Sequence, residues 1–277
     1  MNVDLEIIES PMFTLLVGPD KRQMRIHSVI LANSSHVLSA LVRGNMREAR
    51  ERRSDWSHVN EEAFIRFSQF LYGRDYKVPP PVVFDITPEE HDGVELDNGE
   101  PRTPPEDWTR QQESREQCWP RFAPLYIQSL QDYDWGKADF SNALATWAPT
   151  PNHSSEDWAP FFECQVQLYL LADMYLVEPL IQLVLLRTYI FLRSFELLES
   201  DIDTIIEFIH RVYESTAPRY GDRVDPLRDL VSRYAATVAR ELENHEAFRQ
   251  LLEDHDSFAA DLRTACQLEA PEGNWLS

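Results

Sequence analysis

Four arginines crowd the segment NMREARERR, residues 45–53, where Arg47, Arg50, Arg52 and Arg53 stand with two glutamates among them. Such a cluster is able to bind phosphate, to remain a solvated surface or to contact a protein partner. The whole chain has a formal net charge of −21, and nucleic-acid binding depends on neutralising phosphates with Lys and Arg. We therefore expect no nucleic-acid partner, and binding through these arginines is kept as an alternative hypothesis.

The histidines and cysteines do not form a recognisable catalytic or metal-binding pattern. His27 lies at a predicted junction of strand and helix, where a capping or core role is the simplest interpretation. Glycine is scarce, with eight residues in the chain, so no phosphate-binding loop is expected. We expect no enzyme activity, no cofactor and no metal site. The residues without metal-ligand spacing are His36, His58, His91, His153, His210, His245, His255, Cys118, Cys164 and Cys266.

The chain reads as an intracellular protein, cytoplasmic or nuclear. Its three cysteines are an odd number, which suits a reducing compartment. The first residues, MNVDLEIIESP, carry acids where a secretory signal needs a positive start and an apolar run. The most apolar stretch, residues 166–192, is interrupted by Asp173, Glu178 and Arg187. A membrane span would not place these charges against lipid, so no membrane association is expected.

Charge and proline content divide the chain into parts. Residues 79–160 hold 16 acidic and 5 basic side chains and 12 of the 18 prolines, and they show no sustained helical or strand period. We predict a long, largely disordered insertion. Five of the seven tryptophans fall inside it, at positions 108, 119, 135, 147 and 158. Our favoured interpretation is that part of the insertion packs on a folded core, and the alternative is a set of acidic-aromatic docking motifs.

Before the insertion, the pattern predicts a hairpin of residues 13–17 and 24–26 around a turn at 18–20. Two short helices follow, with a break at residues 33–35, and a strand is expected at 56–59. Asn60 is the predicted N-cap of a third helix, which turns its apolar residues towards a core. These apolar residues are Ala63, Phe64, Phe67, Phe70 and Leu71.

After the insertion the pattern is helical almost to the end. Helices are predicted at residues 163–175, from Pro179, after Asp201, from an Asp225 cap, and at 257–267. The helix predicted after Asp201 has an apolar face. We interpret this face as internal core, and the alternative is that it forms a groove for a partner. This face consists of Ile202, Ile205, Ile206, Ile209 and Val212.

The order and spacing of several motifs resemble the BTB/POZ domain, in the form found in filamentous fungi. The motifs are IHSVILA (26–32), SHVLSAL (35–41), GNMRE (44–48), VNEEAF (59–64), FLYGRDY (70–76) and LYLLADMYLVEPL (168–180). The residues that match the family signature are His27, Leu31, Phe64, Leu71, Tyr72, Ala172 and Tyr175.

The resemblance implies an α+β fold, a cluster of helices flanked by a small sheet, followed by a mostly helical C-terminal extension. The domain would consist of residues 1–78 and 161–194, interrupted by the insertion at 79–160 and followed by the extension at 195–277. Family members bind other proteins without catalysis. In those that act as substrate adaptors for cullin ubiquitin ligases, a hydrophobic residue, any residue and a Glu follow the second helix. Met46 and Glu48 match that pattern.

Two alternatives accompany this implied function. Met46 could instead cap the local core while Glu48 pairs with nearby arginines, each such surface pair contributing about 0–1 kcal/mol. The chain could also be a scaffold or self-association protein without a ligase role. Tightly dimeric, corepressor-binding members carry an Asp and a basic residue where this chain has Met12 and Ser28. A homodimer and a role in transcription are therefore not favoured.

Overall fold

The computed structural model describes residues 5–83, 156–195, 197–217, 219–220 and 223–269. The chain divides into two units, one formed by residues 1–80 and 161–185 and the other by 81–160 and 186–277. The described part is mainly helical with small sheets, so the α+β class predicted from the sequence is confirmed. The disorder predicted for the insertion lies outside the described residues, as do four of its five tryptophans.

A three-stranded sheet forms one side of the first unit. Strands β1 (Met12–Val17) and β2 (Arg22–His27) pair antiparallel, and β3 (Arg53–Trp56) pairs parallel to β1, in the order β2-β1-β3. The predicted hairpin is confirmed, and Gly18 takes a φ of +74° in its turn, a conformation that glycine adopts without strain. In β1, four apolar side chains are buried, those of Phe13, Leu15, Leu16 and Val17.

The strand predicted at residues 56–59 is wrong, because the strand ends at Trp56 and a turn follows. The Ser57 amide donates to the Asp55 carboxylate at 2.9 Å, and the Val59 amide donates to the Trp56 carbonyl at 2.9 Å. Asp55 therefore nucleates a local turn that competes with strand extension. The parallel register with β1 places the strand three residues earlier than the apolar pattern suggested.

Five helices of the first unit precede the insertion: α1 (Leu5–Glu9), α2 (Ser28–Ala32), α3 (His36–Arg43), α4 (Arg47–Glu51) and α5 (Glu61–Gly73). The predicted break between the short helices is confirmed, since Ser35 caps α3 by accepting a hydrogen bond from the Leu38 amide. The Asn60 cap is also confirmed, because its side chain accepts from the amides of Glu62 and Ala63.

After the insertion come α6 (Ala159–Met174) and α7 (Glu178–Ser194). Trp56 is almost fully buried and organises the aromatic core of the first unit. Its ring stacks on Tyr175 of the turn after α6, with centroids 4.2 Å apart, and meets Phe64 edge to face at 6.0 Å. Of the signature residues, the buried ones are Leu31, Phe64, Leu71 and Ala172.

In the second unit, a short two-stranded sheet lies at the two ends of the insertion. Strands β4 (Val82–Val83) and β5 (Glu156–Asp157) pair antiparallel, which brings the two ends of the insertion together. Beside β5, Trp158 is buried and its ring lies 4.8 Å from that of Phe191. The interpretation that part of the insertion packs on a folded core is confirmed for this tryptophan.

The other described elements of the second unit are helical except for a small hairpin of β6 (Arg219–Tyr220) and β7 (Arg223–Val224). Its helices are α8 (Ile202–Ser215), α9 (Pro226–Thr237), α10 (Ala239–Leu242), α11 (Glu246–Asp254) and α12 (Asp256–Glu269). The predicted Asp225 cap is confirmed, as is burial of the apolar face of α8. Helices α10 and α11 were not predicted. Within the described ranges, no helix combines the length and apolarity needed to cross a bilayer.

Candidate functional site

The segment NMREARERR folds as part of a corner between α3 and α4, residues 43–52, here called the α3-α4 corner. Gly44 ends α3, and its amide donates to the Ala40 carbonyl at 2.9 Å. A Cβ at Gly44 would lie 2.3 Å from that carbonyl oxygen, so a side chain would not fit without movement of the backbone. The second helix of the corner ends at Arg52, which has a left-handed φ of 50° and whose amide donates to the Glu48 carbonyl.

Met46 is the most exposed apolar side chain of this corner. It is 72% exposed and occupies the N-cap position of α4 in an extended conformation. The alternative that Met46 caps the local core is therefore wrong. A flexible, polarisable side chain that presents its apolar surface to water is suited to enter a pocket on a partner.

Glu48 lies in the first turn of α4 and is half-buried. Its carboxylate makes no ion pair within the described residues, whereas Arg47 pairs with Glu51 at 2.6 Å. That ion pair lowers the pKa of the Glu51 carboxyl and raises the pKa of the Arg47 guanidinium. Glu48 acts on Arg47 through a weaker, longer-range charge interaction that also raises the pKa of this guanidinium, so the alternative in which Glu48 forms an ion pair with a nearby arginine is wrong. Its carboxylate is left available to a partner.

The remaining arginines of the segment surround the corner with positive charge. Arg50, Arg52 and Arg53 are all exposed, and none forms an ion pair with another described residue. Solvated arginines at the rim of a protein interface mainly affect association rate and orientation.

A pocket of about 580 Å³ lies behind the corner. Its walls are α1, the first residues of α2, the end of α3 and the α4 segment. This pocket was not predicted from the sequence, because neither α1 nor the helix at residues 47–51 was predicted. The lining residues that carry charge are Glu6, Glu9, Arg43, Arg50 and Arg52.

His27, for which a capping or core role was expected, is half-buried at the junction of β2 and α2. It occupies the N-cap position of α2, but its side chain makes no capping hydrogen bond. Instead, its Nδ1 lies 2.7 Å from the Tyr72 hydroxyl, and its amide donates to the same oxygen at 3.1 Å. The half-buried His27 and the 43% exposed Tyr72 thus join the β2-α2 junction to the last turn of α5.

One histidine pair in the second unit was not visible in the sequence. His255 Nε2 lies 2.8 Å from His210 Nδ1, although the two residues are 45 positions apart. Burial and the His210 charge lower the pKa of His255. Within the described ranges, no group of three or more His, Cys, Asp or Glu side chains is placed to hold a metal ion.

The described residues therefore form a mainly helical α+β structure, and one corner of it carries an exposed Met46 and a Glu48 carboxylate without an ion pair among these residues. Comparisons of the chain with family models, with curated proteins and with solved structures gave no match.

Proposed function

We propose that this protein is a BTB/POZ-type protein-interaction module without catalytic activity, acting in the cytoplasm or nucleus as a substrate adaptor for a cullin-type E3 ubiquitin ligase. The observation that carries the proposal is the α3-α4 corner. There a 72% exposed Met46 stands two residues from Glu48, whose carboxylate has no ion-pair partner within the described residues. These residues have the hydrophobic-x-Glu pattern and follow the second helix of the α2-α3 pair.

The architecture of the first unit supports the fold part of the proposal. A hairpin is followed by the α2-α3 pair, a third strand and α5, and the unit is completed after the insertion by most of α6 and the first part of α7. This order agrees with the helical cluster and small sheet that the resemblance implies. Four of the residues that match the family signature are buried, as core positions should be: Leu31, Phe64, Leu71 and Ala172.

In the proposed docking, Met46 contributes binding energy and Glu48 contributes orientation. Burying a Met side chain in a partner pocket contributes about 1.5–3 kcal/mol. The Glu48 carboxylate fixes orientation by accepting charge-assisted hydrogen bonds from the partner. We expect the partner surface to offer an apolar pocket with a basic or N–H-rich edge.

A pull-down with a cullin N-terminal domain tests this proposal. We expect the full chain to be retained, and Met46→Ala and Glu48→Ala each to reduce retention strongly. Met174→Ala is the matched control, because Met174 is also exposed, at 53%, and belongs to the same unit. Retention that is absent for the wild type, or equal in all four proteins, would overturn the adaptor role.

Self-association is the second candidate function, and a specific observation favours it. Leu5 and Ile8 of α1 are 69% and 63% exposed, and Met12 at the start of β1 is 39% exposed. Exposed apolar side chains in neighbouring elements are often covered by a partner. Light scattering at several concentrations tests it. A dimer that dissociates in Leu5→Glu/Ile8→Glu supports self-association, whereas a monomer at all concentrations excludes it.

A further inference from the structure

Ser28 provides an unexplained polar group at the pocket behind the α3-α4 corner. This serine is 8% exposed, lines the pocket, and its Oγ has no hydrogen-bond partner within the described residues. A buried hydroxyl without a partner is unfavourable, and native structures rarely keep one without a reason. A ligand group that hydrogen-bonds to this hydroxyl would remove the unfavourable contribution.

The backbone around Ser28 is already satisfied, which leaves the hydroxyl for a ligand. The Ser28 amide donates to the Pro11 carbonyl at 2.8 Å, and the Val29 amide donates to the Ser10 Oγ at 3.0 Å. These two bonds fix the segment after α1 against the start of α2. The rigid backbone thereby holds Ser28 at the pocket wall, where rotation about χ1 turns its enclosed Oγ towards a ligand.

Charges of opposite sign line different walls of the same pocket. Glu6 and Glu9 come from α1, whereas Arg43, Arg50 and Arg52 come from the α3-α4 corner. Among the described residues, no nitrogen of these arginines lies within 4.0 Å of either carboxylate, so the two sets remain unpaired across the pocket. The Arg43 guanidinium donates to the Asn33 side-chain oxygen at 3.3 Å.

We propose that this pocket binds a short peptide segment of a partner protein that carries one acidic and one basic side chain. The acidic side chain pairs with the arginine wall, the basic side chain pairs with Glu6 and Glu9, and a polar group of the peptide bonds to the Ser28 hydroxyl. The proposal goes beyond docking at Met46 and does not depend on which protein docks there. A pocket of about 580 Å³ is within the usual ligand-site range of roughly 300–1,000 Å³.

The charge arrangement favours such a peptide over nucleic acid. A phosphate chain would gain from the three arginines but would meet the two unpaired carboxylates of α1 at the same pocket. A peptide with both charges satisfies both walls. Its contacts with arginine are bidentate, which adds geometric selectivity for a carboxylate.

The proposal is tested with the full chain and an array of ten-residue peptides. Each peptide carries one Glu and one Lys, separated by one to six residues in a Gly/Ser background, and the strongest binder is measured by fluorescence polarisation. We expect it to bind at least about tenfold more tightly than its Glu-only and Lys-only versions. A single-stranded oligonucleotide of equal length serves as the polyanion probe and is expected to bind more weakly.

Variants then assign the binding to the pocket. Glu6→Gln/Glu9→Gln and Arg50→Gln/Arg52→Gln are each expected to weaken the peptide about tenfold, and Ser28→Ala several-fold. Arg53→Gln and Met174→Ala are controls outside the lining and should leave affinity unchanged. The proposal is overturned if no peptide of the array binds, if the Glu-only peptide or the oligonucleotide binds as tightly, or if the pocket variants bind like wild type.

Discussion

Tyr76 donates a hydrogen bond from its hydroxyl to the Gln165 side-chain oxygen at 2.7 Å, and both side chains are buried. The two residues are 89 positions apart, with the whole insertion between them. Both belong to the first unit, so this bond joins its two sequence segments. The Gln165 amide nitrogen has no partner within the described residues. The bond from Tyr76 is therefore the main polar contact of this buried side chain among those residues.

Replacing Tyr76 tests whether this bond stabilises the first unit. Tyr76→Phe should lower the free energy of local unfolding by about 1–3 kcal/mol, because the Gln165 oxygen would stay buried without its donor. Hydrogen exchange of peptides from α5 and α6 measures the loss. Tyr72→Phe is the control, since Tyr72 is 43% exposed and water is able to replace its hydroxyl. Equal protection in the two variants would contradict this role.

Ser28 and Ser35 provide a matched pair of serine substitutions in neighbouring helices. Ser28→Ala removes a buried hydroxyl without a partner, so the free energy of unfolding should stay within about 0.5 kcal/mol of wild type or rise. Ser35→Ala removes the cap that accepts from the Leu38 amide and should cost about 1 kcal/mol. Urea denaturation compares the two. An equal loss in both would show that Ser28 has a structural partner.

The pair of His255 and His210 should make the second unit sensitive to acid. Burial lowers the pKa of His255, and the charges of His210 and Arg228 lower it further, while Asp254 and Glu214 act in the opposite direction. The folded state thus binds this proton less readily than the unfolded chain, whose histidine has a pKa near 6.5. The stability that depends on the neutral imidazole is present above that pH and is lost as the pH falls below it.

Thermal unfolding between pH 7.5 and pH 5 measures this effect. We expect the wild type to lose stability with decreasing pH, and His255→Gln to lose less over the same interval because the titrating group is gone. His36→Gln replaces an exposed histidine and should retain the wild-type dependence. If His255→Gln follows the wild-type curve, the histidine pair is not a source of acid sensitivity.

Arg228 is a buried cation that completes the C-terminal end of α8. It is 3% exposed, and it donates to the carbonyls of Tyr213 and Thr216, to the Thr216 hydroxyl and to the Ser257 hydroxyl. A guanidinium at a helix C-terminus also meets the negative end of the helix dipole. Arg228→Lys should therefore lower the free energy of unfolding by about 2–3 kcal/mol, because lysine does not reproduce the fork of donors.

Chemical denaturation of the second unit checks the Arg228 prediction. Arg233→Lys is the control, since Arg233 is less buried and its side chain reaches Asp229 of the preceding turn at 2.9 Å. Its loss should stay below about 1 kcal/mol. A similar loss for the two variants would contradict a capping role for Arg228.

The sequence predicted the features that depend on neighbours along the chain. The caps at Asn60 and Asp225 and the apolar face of α8 were all found, because each depends on residue type and spacing within one or two turns. The short helices α1 and α4 were not predicted, because five residues carry too little periodicity to indicate a helix. The β3 strand was misplaced because its register is set by parallel pairing with β1, more than 35 residues earlier.

The candidate site was only partly visible in the sequence. Met46 and Glu48 could be selected as a pattern, but the exposure of Met46 and the lack of an ion pair at Glu48 required the folded chain. The contacts of His255 with His210 and the position of Ser28 at a pocket arise from packing between elements that are distant in sequence. No residue spacing along the chain signals either one.

The affinity of the full chain for a cullin N-terminal domain, measured for Met46→Ala and Met174→Ala, tests the docking role of the α3-α4 corner most directly. If Met46 is the buried anchor, its truncation should cost about 1.5–3 kcal/mol, which is roughly a 10- to 150-fold loss of affinity. Met174→Ala should bind like wild type. Equal affinity of the two variants, or no measurable binding by the wild type, would contradict the account.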